Sequence, residues 1–238
     1  MSDEISTTGP PPSGPLGGDN EPRGNPWERR DELGTGQGFV EALKLFVVSP
    51  VEAFGQTRRK GDYASPLLFA IVVGWVGVLI AKIWDTLFGM SILSTFPPEL
   101  RDQLPFLVGG SSFGLVLSLI LAPVYILVAL FIWSALLHLC LVLVGGLKHS
   151  SAGFEGTFRV VSYTTVAQLG SLVPVLGSVI TLVWSIVLGV IGITSLHKST
   201  QGQAIAALLI PLALCCLCVV FFLMTLGAGL MAAFATQG

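Results

Sequence analysis

Past residue 65 the chain is a succession of long apolar runs separated by short polar breaks. The runs extend from about Pro66 to Met90, Ser112 to Leu147, Thr157 to Val173, Gly177 to Ser195 and Ala204 to Phe234. About 20 apolar residues are enough for a helix to cross a hydrocarbon core of roughly 30 Å, so the pattern predicts five transmembrane helices. The second and fifth runs are longer than a crossing needs and contain Pro123 and Pro211. Pro123 is expected either to kink one long helix or to break off an interfacial turn.

The third run is the least apolar of the five. Its Thr164, Gln168 and Ser171 recur at i, i+4 and i+7, so on an α-helix they stack along one face. Hydroxyls and amides without partners are costly in hydrocarbon, and this helix is therefore expected at the centre of the bundle. The stretch from Gly145 to Thr194 organises the rest. Within it, only a turn from Pro174 to Gly177 separates the third run from the fourth, which makes them a close antiparallel pair. Gly170, Gly189 and Gly192 are expected to let helices approach closely.

Ahead of the first run the pattern differs. Residues 1–37 are rich in Gly and Pro, with mixed charges and few large apolar residues. Such a segment buries too little surface to offset the entropy of ordering, so it is expected to be a disordered tail. Pro10-Pro11-Pro12 reads as spacer. From 38 to 64 a helical spacing returns: Phe39, Leu43, Phe46 and Val47 share one face. Ser49-Pro50 then has the form of an N-cap followed by proline at the first helical position, with Glu52 in the first turn. Two short amphipathic helices lying on the membrane surface are expected here. Residues 65–236 form the membrane domain.

Composition supports this reading. Of 238 residues, 53% are hydrophobic and only 11% charged, against about 25% charged in an average soluble domain. Beyond Pro66 the acidic residues are Asp85, Glu99, Asp102 and Glu155, and the basic ones Lys82, Arg101, Lys148, Arg159 and Lys198. The overall charge of −2 averages a polar N-terminus with a nearly uncharged body and points to no partner. No basic cluster marks a nucleic-acid surface. The first apolar run follows a long polar segment without a cleavage region, so no secretory signal peptide is expected. Basic residues at the ends of the runs set the orientation. With the N-terminus inside, Arg58, Arg59, Lys60, Lys148, Arg159 and Lys198 are cytoplasmic and only Arg101 lies opposite, so residues 1–65 are expected inside and Gly238 outside.

Candidate chemistry is sparse. Cys140, Cys215, Cys216 and Cys218 lie within apolar runs and read as small buried hydrophobes, not as a disulfide or metal framework. No nucleophile elbow, zinc signature, phosphate loop or dinucleotide fingerprint occurs, so the chain is expected not to be an enzyme and to need no cofactor. Lys82 and Asp85 share a helix face at i and i+3 and can neutralise one another near the outer interface, with Trp84 as an interfacial anchor. A pathway or binding role for the pair is the sharper alternative. Glu155 and Arg159, four apart, are expected to pair at the start of the third helix, with Glu155 favoured there by the helix dipole. The same loop is a candidate partner site. His138 lies inside the second run. His149 and His197 fall in loops and read as interfacial residues that face headgroups, the alternative being a metal site with Glu155.

Several phrases carry a family resemblance: LKLFVVSPVEAF at 43–54, GGLKHSSAGFEGTFRVVSY at 145–163, VPVLG at 173–177 and GITSLHKSTQGQA at 192–204. In their order and spacing around the apolar runs, the chain resembles the Yip1-domain family of polytopic membrane proteins in its compact prokaryotic form. The resemblance covers residues from about 39 to 215. It implies an all-α integral membrane bundle of about five helices with a cytoplasmic N-terminal region, placed in the inner membrane of a prokaryote. Eukaryotic members of the family act in vesicle trafficking with small-GTPase partners, but the tail here lacks their partner-binding motifs and that role is not carried over. The reading is a non-enzymatic scaffold or interaction module in membrane organisation. Its partners are the lipid bilayer and proteins met through the tail and loops, not nucleic acid. The alternative is a small transporter or channel subunit that uses the polar stripe Thr164, Gln168 and Ser171 together with Lys82 and Asp85.

Overall fold

A computed structural model of the chain describes residues 16–17, 21–93 and 112–235. The proline run at 10–12 and the charged residues Glu99, Arg101 and Asp102 lie outside the described residues. The order is β1 (Leu16–Gly17), β2 (Glu21–Pro22), α1 (Arg30–Leu33), α2 (Thr35–Val48), α3 (Pro50–Gln56), α4 (Ala64–Leu93), α5 (Ser112–Leu143), α6 (Gly153–Thr164), a 3-10 helix (Thr165–Leu172), α7 (Gly177–His197) and α8 (Gln201–Ala235). The two-residue strands pair with each other, and the rest is an all-α bundle.

Among the described residues four helices are long and apolar enough to cross a membrane: Ala64–Phe88 of α4, Gly114–Leu143 of α5, Gly177–His197 of α7 and Gln201–Thr225 of α8. Pro123 and Pro211 sit inside continuous helices, so Pro123 breaks off no separate turn. The segment expected as the third span begins earlier, at Gly153, and changes character at Thr165, where α6 tightens into the 3-10 helix. It is not one of the four, because its α-helix runs for only 12 residues before the eight-residue 3-10 helix. It does lie between the others, in contact with α4, α5, α7 and α2, while α8 packs on α5 and α7.

The segment expected to be disordered up to residue 37 is corrected from Arg23 onward. Asn25, Trp27 and Glu28 are buried, and Gly24 N–H donates to Gln56 O at 3.1 Å. The amphipathic helices are corrected too, because their apolar faces meet the bundle and not lipid. Ala42 and Phe46 of α2 and Ala53 and Phe54 of α3 are fully buried. Phe46 stacks on Tyr163 with centroids 4.8 Å apart and meets Phe54 edge-on at 5.0 Å. The outward faces carry Val40, Val47, Val48 and Val51.

Two glycines permit close approaches to α7. A Cβ on Gly192 of α7 would lie 2.8 Å from Val160 and 2.9 Å from Phe54, and one on Gly170 would lie 2.9 Å from Thr181 N. Side chains larger than hydrogen would push α3 and α6, or the 3-10 helix, off α7. Cys140 is buried, whereas Cys215, Cys216 and Cys218 face outward from α8, which corrects their assignment to a core. On an apolar helix at membrane depth, an outward small side chain is as acceptable as a buried one.

Candidate functional site

The polar chemistry of the described residues gathers at the end of the bundle where α4 begins and α7 ends. Its framework is a capping motif in the sequence Asn25-Pro26-Trp27-Glu28. Asn25 Oδ1 accepts the N–H groups of Trp27 and Glu28, each at 3.1 Å, and Glu28 Oε2 accepts the N–H of Asn25 at 3.2 Å. This reciprocal arrangement satisfies backbone donors at a chain turn, with Pro26 preset for the first turn. It aims the Glu28 carboxylate inward. Trp27 closes the motif over the bundle by donating its indole N–H to Ser65 O at 2.6 Å.

Glu28 meets Arg159 there. Arg159 Nη1 donates to Glu28 Oε1, which also accepts from Tyr163 Oη at 3.0 Å, while Glu28 Oε2 accepts Arg58 N–H at 2.9 Å. The guanidinium is otherwise filled by Glu155 Oε1, at 2.8 Å from Nη2 and 3.2 Å from Nε, and by Asp62 O at 2.7 Å. The Arg159 and Glu28 side chains are 0% and 1% exposed. A buried pair is tolerated only when its remaining donors and acceptors are met, and these are. Burial pushes the Glu28 carboxyl above its ordinary value, against the pull of Arg159 and of the hydrogen bonds from Arg58, Tyr163 and Asn25. Burial acts in the same sense on Asp62, but donors from Ser65 and the charges of Arg159 and Arg30 leave it below its ordinary value.

A second chain of polar groups lies beside the first. Ser150 Oγ is 2.7 Å from His197 Nδ1, His197 Nε2 is 3.0 Å from Thr157 Oγ1, and that hydroxyl is 2.8 Å from His138 Nδ1. One hydroxyl proton serves only one imidazole, so the other histidine must donate its N–H to Thr157. The two tautomers are thereby tied together, and loop 144–152 is pinned to α5, α6 and α7. His197 is fully buried, which corrects its reading as a headgroup-facing loop residue. His149 is exposed. Among the described residues no three His, Cys, Asp or Glu side chains gather to hold a metal ion.

The other candidates fall elsewhere. Lys82 and Asp85 pair at 3.4 Å with side chains 35% and 59% exposed. Trp84 beside them donates its indole N–H to Ser171 O at 3.0 Å. The stripe Thr164, Gln168 and Ser171 does not keep its expected register. In a 3-10 helix, residues three apart eclipse, so Thr165, Gln168 and Ser171 form the row and Thr164 leaves it. Thr164, Thr165 and Gln168 line a cavity of about 460 Å³ between the helices. Ser171 instead turns its hydroxyl onto Gln168 O at 2.6 Å. Sequence reasoning missed Asn25, Glu28, Asp62 and Tyr163. The Asn-Pro-x-Glu signature was the available signal for the first two, hidden by the Gly and Pro around it.

With the fold in view, residues 44–223 match the Yip1 domain. The chain belongs to the Yip1 domain family. No curated protein and no solved structure matches the chain. The Yip1 domain match takes in α4 to α7, most of α8, and Tyr63, Arg159 and Tyr163, but begins after Asn25 and Glu28. The Glu28–Arg159 joint therefore fastens the Yip1 domain to a segment that precedes it.

Proposed function

We propose that this Yip1-family membrane protein is a non-enzymatic scaffold that acts through the cap formed by residues 23–63. The observation that carries the reading is the buried Glu28–Arg159–Tyr163 joint. It makes the cap and the bundle one body, so a protein held by the outward face of the cap is held at a fixed angle to the membrane. Arg58 and Lys60 lie on the cap, and Lys148 and Lys198 in loops at the same end. By the bias of basic residues to the inside, the cap is cytoplasmic. Helix α6 and its 3-10 continuation reach about 34 Å, long enough to serve as a fifth crossing and to put the C-terminus opposite. The inner membrane of a prokaryote is the location that the resemblance favours.

The test is isolation of the full chain from its native membrane in mild detergent, with Glu28→Gln and outward Val47→Glu/Val51→Glu variants beside it. A scaffold runs with a defined protein partner that the valine variant releases while the spans stay intact. A chain that runs alone in every preparation contradicts the reading. A second reading, a small transporter or channel subunit, is favoured by the cavity at Gln168, and solute flux into proteoliposomes that Gln168→Leu abolishes would establish it.

A further inference from the structure

The cavity of about 460 Å³ falls within the size range of small-molecule sites, roughly 300–1,000 Å³. It lies between α4, α5, α7, α8 and the helix 153–172, alongside the middle of each of the four apolar spans. No Asp, Glu, Lys, Arg or His lines it. Its walls are mainly aliphatic, and Gly77 and Ala81 leave the α4 side low. A Cβ on Gly77 would come 2.8 Å from Gln168 Cβ, so this glycine is what lets Gln168 enter the space.

Three hydroxyls in the lining are already occupied. The Thr164, Thr165 and Ser185 hydroxyls donate to backbone carbonyls three or four residues earlier at 2.7, 2.6 and 2.9 Å. The Gln168 side-chain amide is different, because it is exposed, lines the cavity and has no hydrogen-bond partner among the described residues. Thr181 Oγ1, shielded within the lining, has none either. An amide facing hydrocarbon without a partner is costly, and here it offers an NH2 group that donates and a carbonyl oxygen that accepts to whatever enters. The entrance is marked by Tyr125, which lines the cavity and is 71% exposed. Around it α5 turns Leu121, Val124 and Val128 outward, so the approach is through an apolar surface.

We propose that this cavity binds an uncharged amphiphile drawn from the bilayer, a long apolar chain bearing a hydroxyl or carbonyl that pairs with the Gln168 amide. An apolar space at membrane depth with one unmatched amide selects for that chemistry. A charged headgroup has no counter-ion there, and a small hydrophilic solute would leave the aliphatic walls unmatched. The inference is independent of whether the cap holds a protein partner.

The test uses the full chain in nanodiscs and three photoreactive diazirine probes of equal length: a fatty alcohol, the matching alkane and the matching fatty acid as its carboxylate. The alcohol should label peptides from 74–81 and 164–168 saturably, with unlabelled alcohol competing about three-fold or more better than alkane. That factor corresponds to ~0.6 kcal/mol, the typical worth of one hydrogen bond between membrane helices. Gln168→Leu should abolish the preference for alcohol over alkane while labelling persists. Gly77→Leu should remove the labelling, and Ala129→Phe, which fills the space from α5, serves as a second blocking variant should Gly77→Leu fail to assemble. Equal competition by alcohol and alkane in the unaltered chain overturns the proposal. So does preferential labelling by the carboxylate, or labelling spread over Val124 and Val128 that Ala129→Phe leaves unchanged.

Discussion

At one end of the bundle the helices are locked by charge and aromatic packing, and in the other half they lean on one another around a cavity. The capped end holds Glu28, Arg159, Tyr163, Phe46, Phe54 and Phe69, all buried, and the Ser150–His197–Thr157–His138 chain. The far half turns Val179, Leu182 and Val183 of α7 and Leu217, Phe221 and Phe222 of α8 outward. The difference follows from the two solvents. Residues 23–63 precede the first apolar span, and burying Phe46 or Phe54 there removes apolar area from water, about 1.5–3 kcal/mol for each side chain. Between helices in lipid there is no such gain, and stability comes from close packing and modest hydrogen bonds. A loose, ligand-sized space is thus tolerated in the half that lacks the cap.

The largest effect should come from separating cap and bundle. Deleting residues 2–22 leaves Asn25, Trp27 and Glu28 in place and should leave thermal stability in detergent nearly unchanged. Deleting residues 2–36 takes all three away, strips Arg159 of its main counter-charge, and should leave little stable protein by size-exclusion chromatography. Equal behaviour of the two truncations would break the comparison.

Arg159→Met should cost about 3–5 kcal/mol, the penalty for leaving one member of a buried pair behind. Lys82→Met removes an exposed pair and should cost no more than about 1 kcal/mol. Paired thermal melts in the same detergent measure both.

Packing sharpens the contrast along the central helix. Gly170→Leu drives a side chain into Thr181 and Ile180 and should cost about 1–3 kcal/mol as an overpacked contact. Gln168→Leu, facing open space two residues earlier, should cost less than about 1 kcal/mol or stabilise the empty protein. A reversal of that order would mean that the cavity is closed in the membrane.

The smallest effect is on acid tolerance. The Asp62 carboxyl lies below its ordinary 3.8. With the folded value below the unfolded one, the group's contribution is present above the unfolded value and lost as pH falls through the folded one. Melting temperature should therefore decline below about pH 4, and Asp62→Asn should flatten that decline.

Much of the architecture was legible in the sequence because apolar length and short polar breaks directly constrain a helix in a bilayer. The central place of the helix through Arg159 and Gln168 followed from its polar residues. What stayed hidden depended on long-range pairing. Glu28 lies 131 residues from Arg159, and local composition gives no sign that a Gly- and Pro-rich segment ends in a capping motif aimed at a buried guanidinium. The register of Thr164, Gln168 and Ser171 is not legible in the spacing, because the chain tightens from α to 3-10 at Thr165. The pairing of Glu155 with Arg159 was legible from spacing, but spacing could not reveal that Arg159 had a second, buried counter-charge.

Hydrogen–deuterium exchange on the full chain in nanodiscs tests the joint between cap and bundle most directly. The amides of Trp27 and Glu28, donated to Asn25, and that of Arg58, donated to Glu28, should be protected to the same degree as the amides of α6. Arg159→Met should release them together while α7 and α8 stay protected. Exchange of residues 24–33 at the rate of an unfolded chain in the unaltered protein would contradict the account.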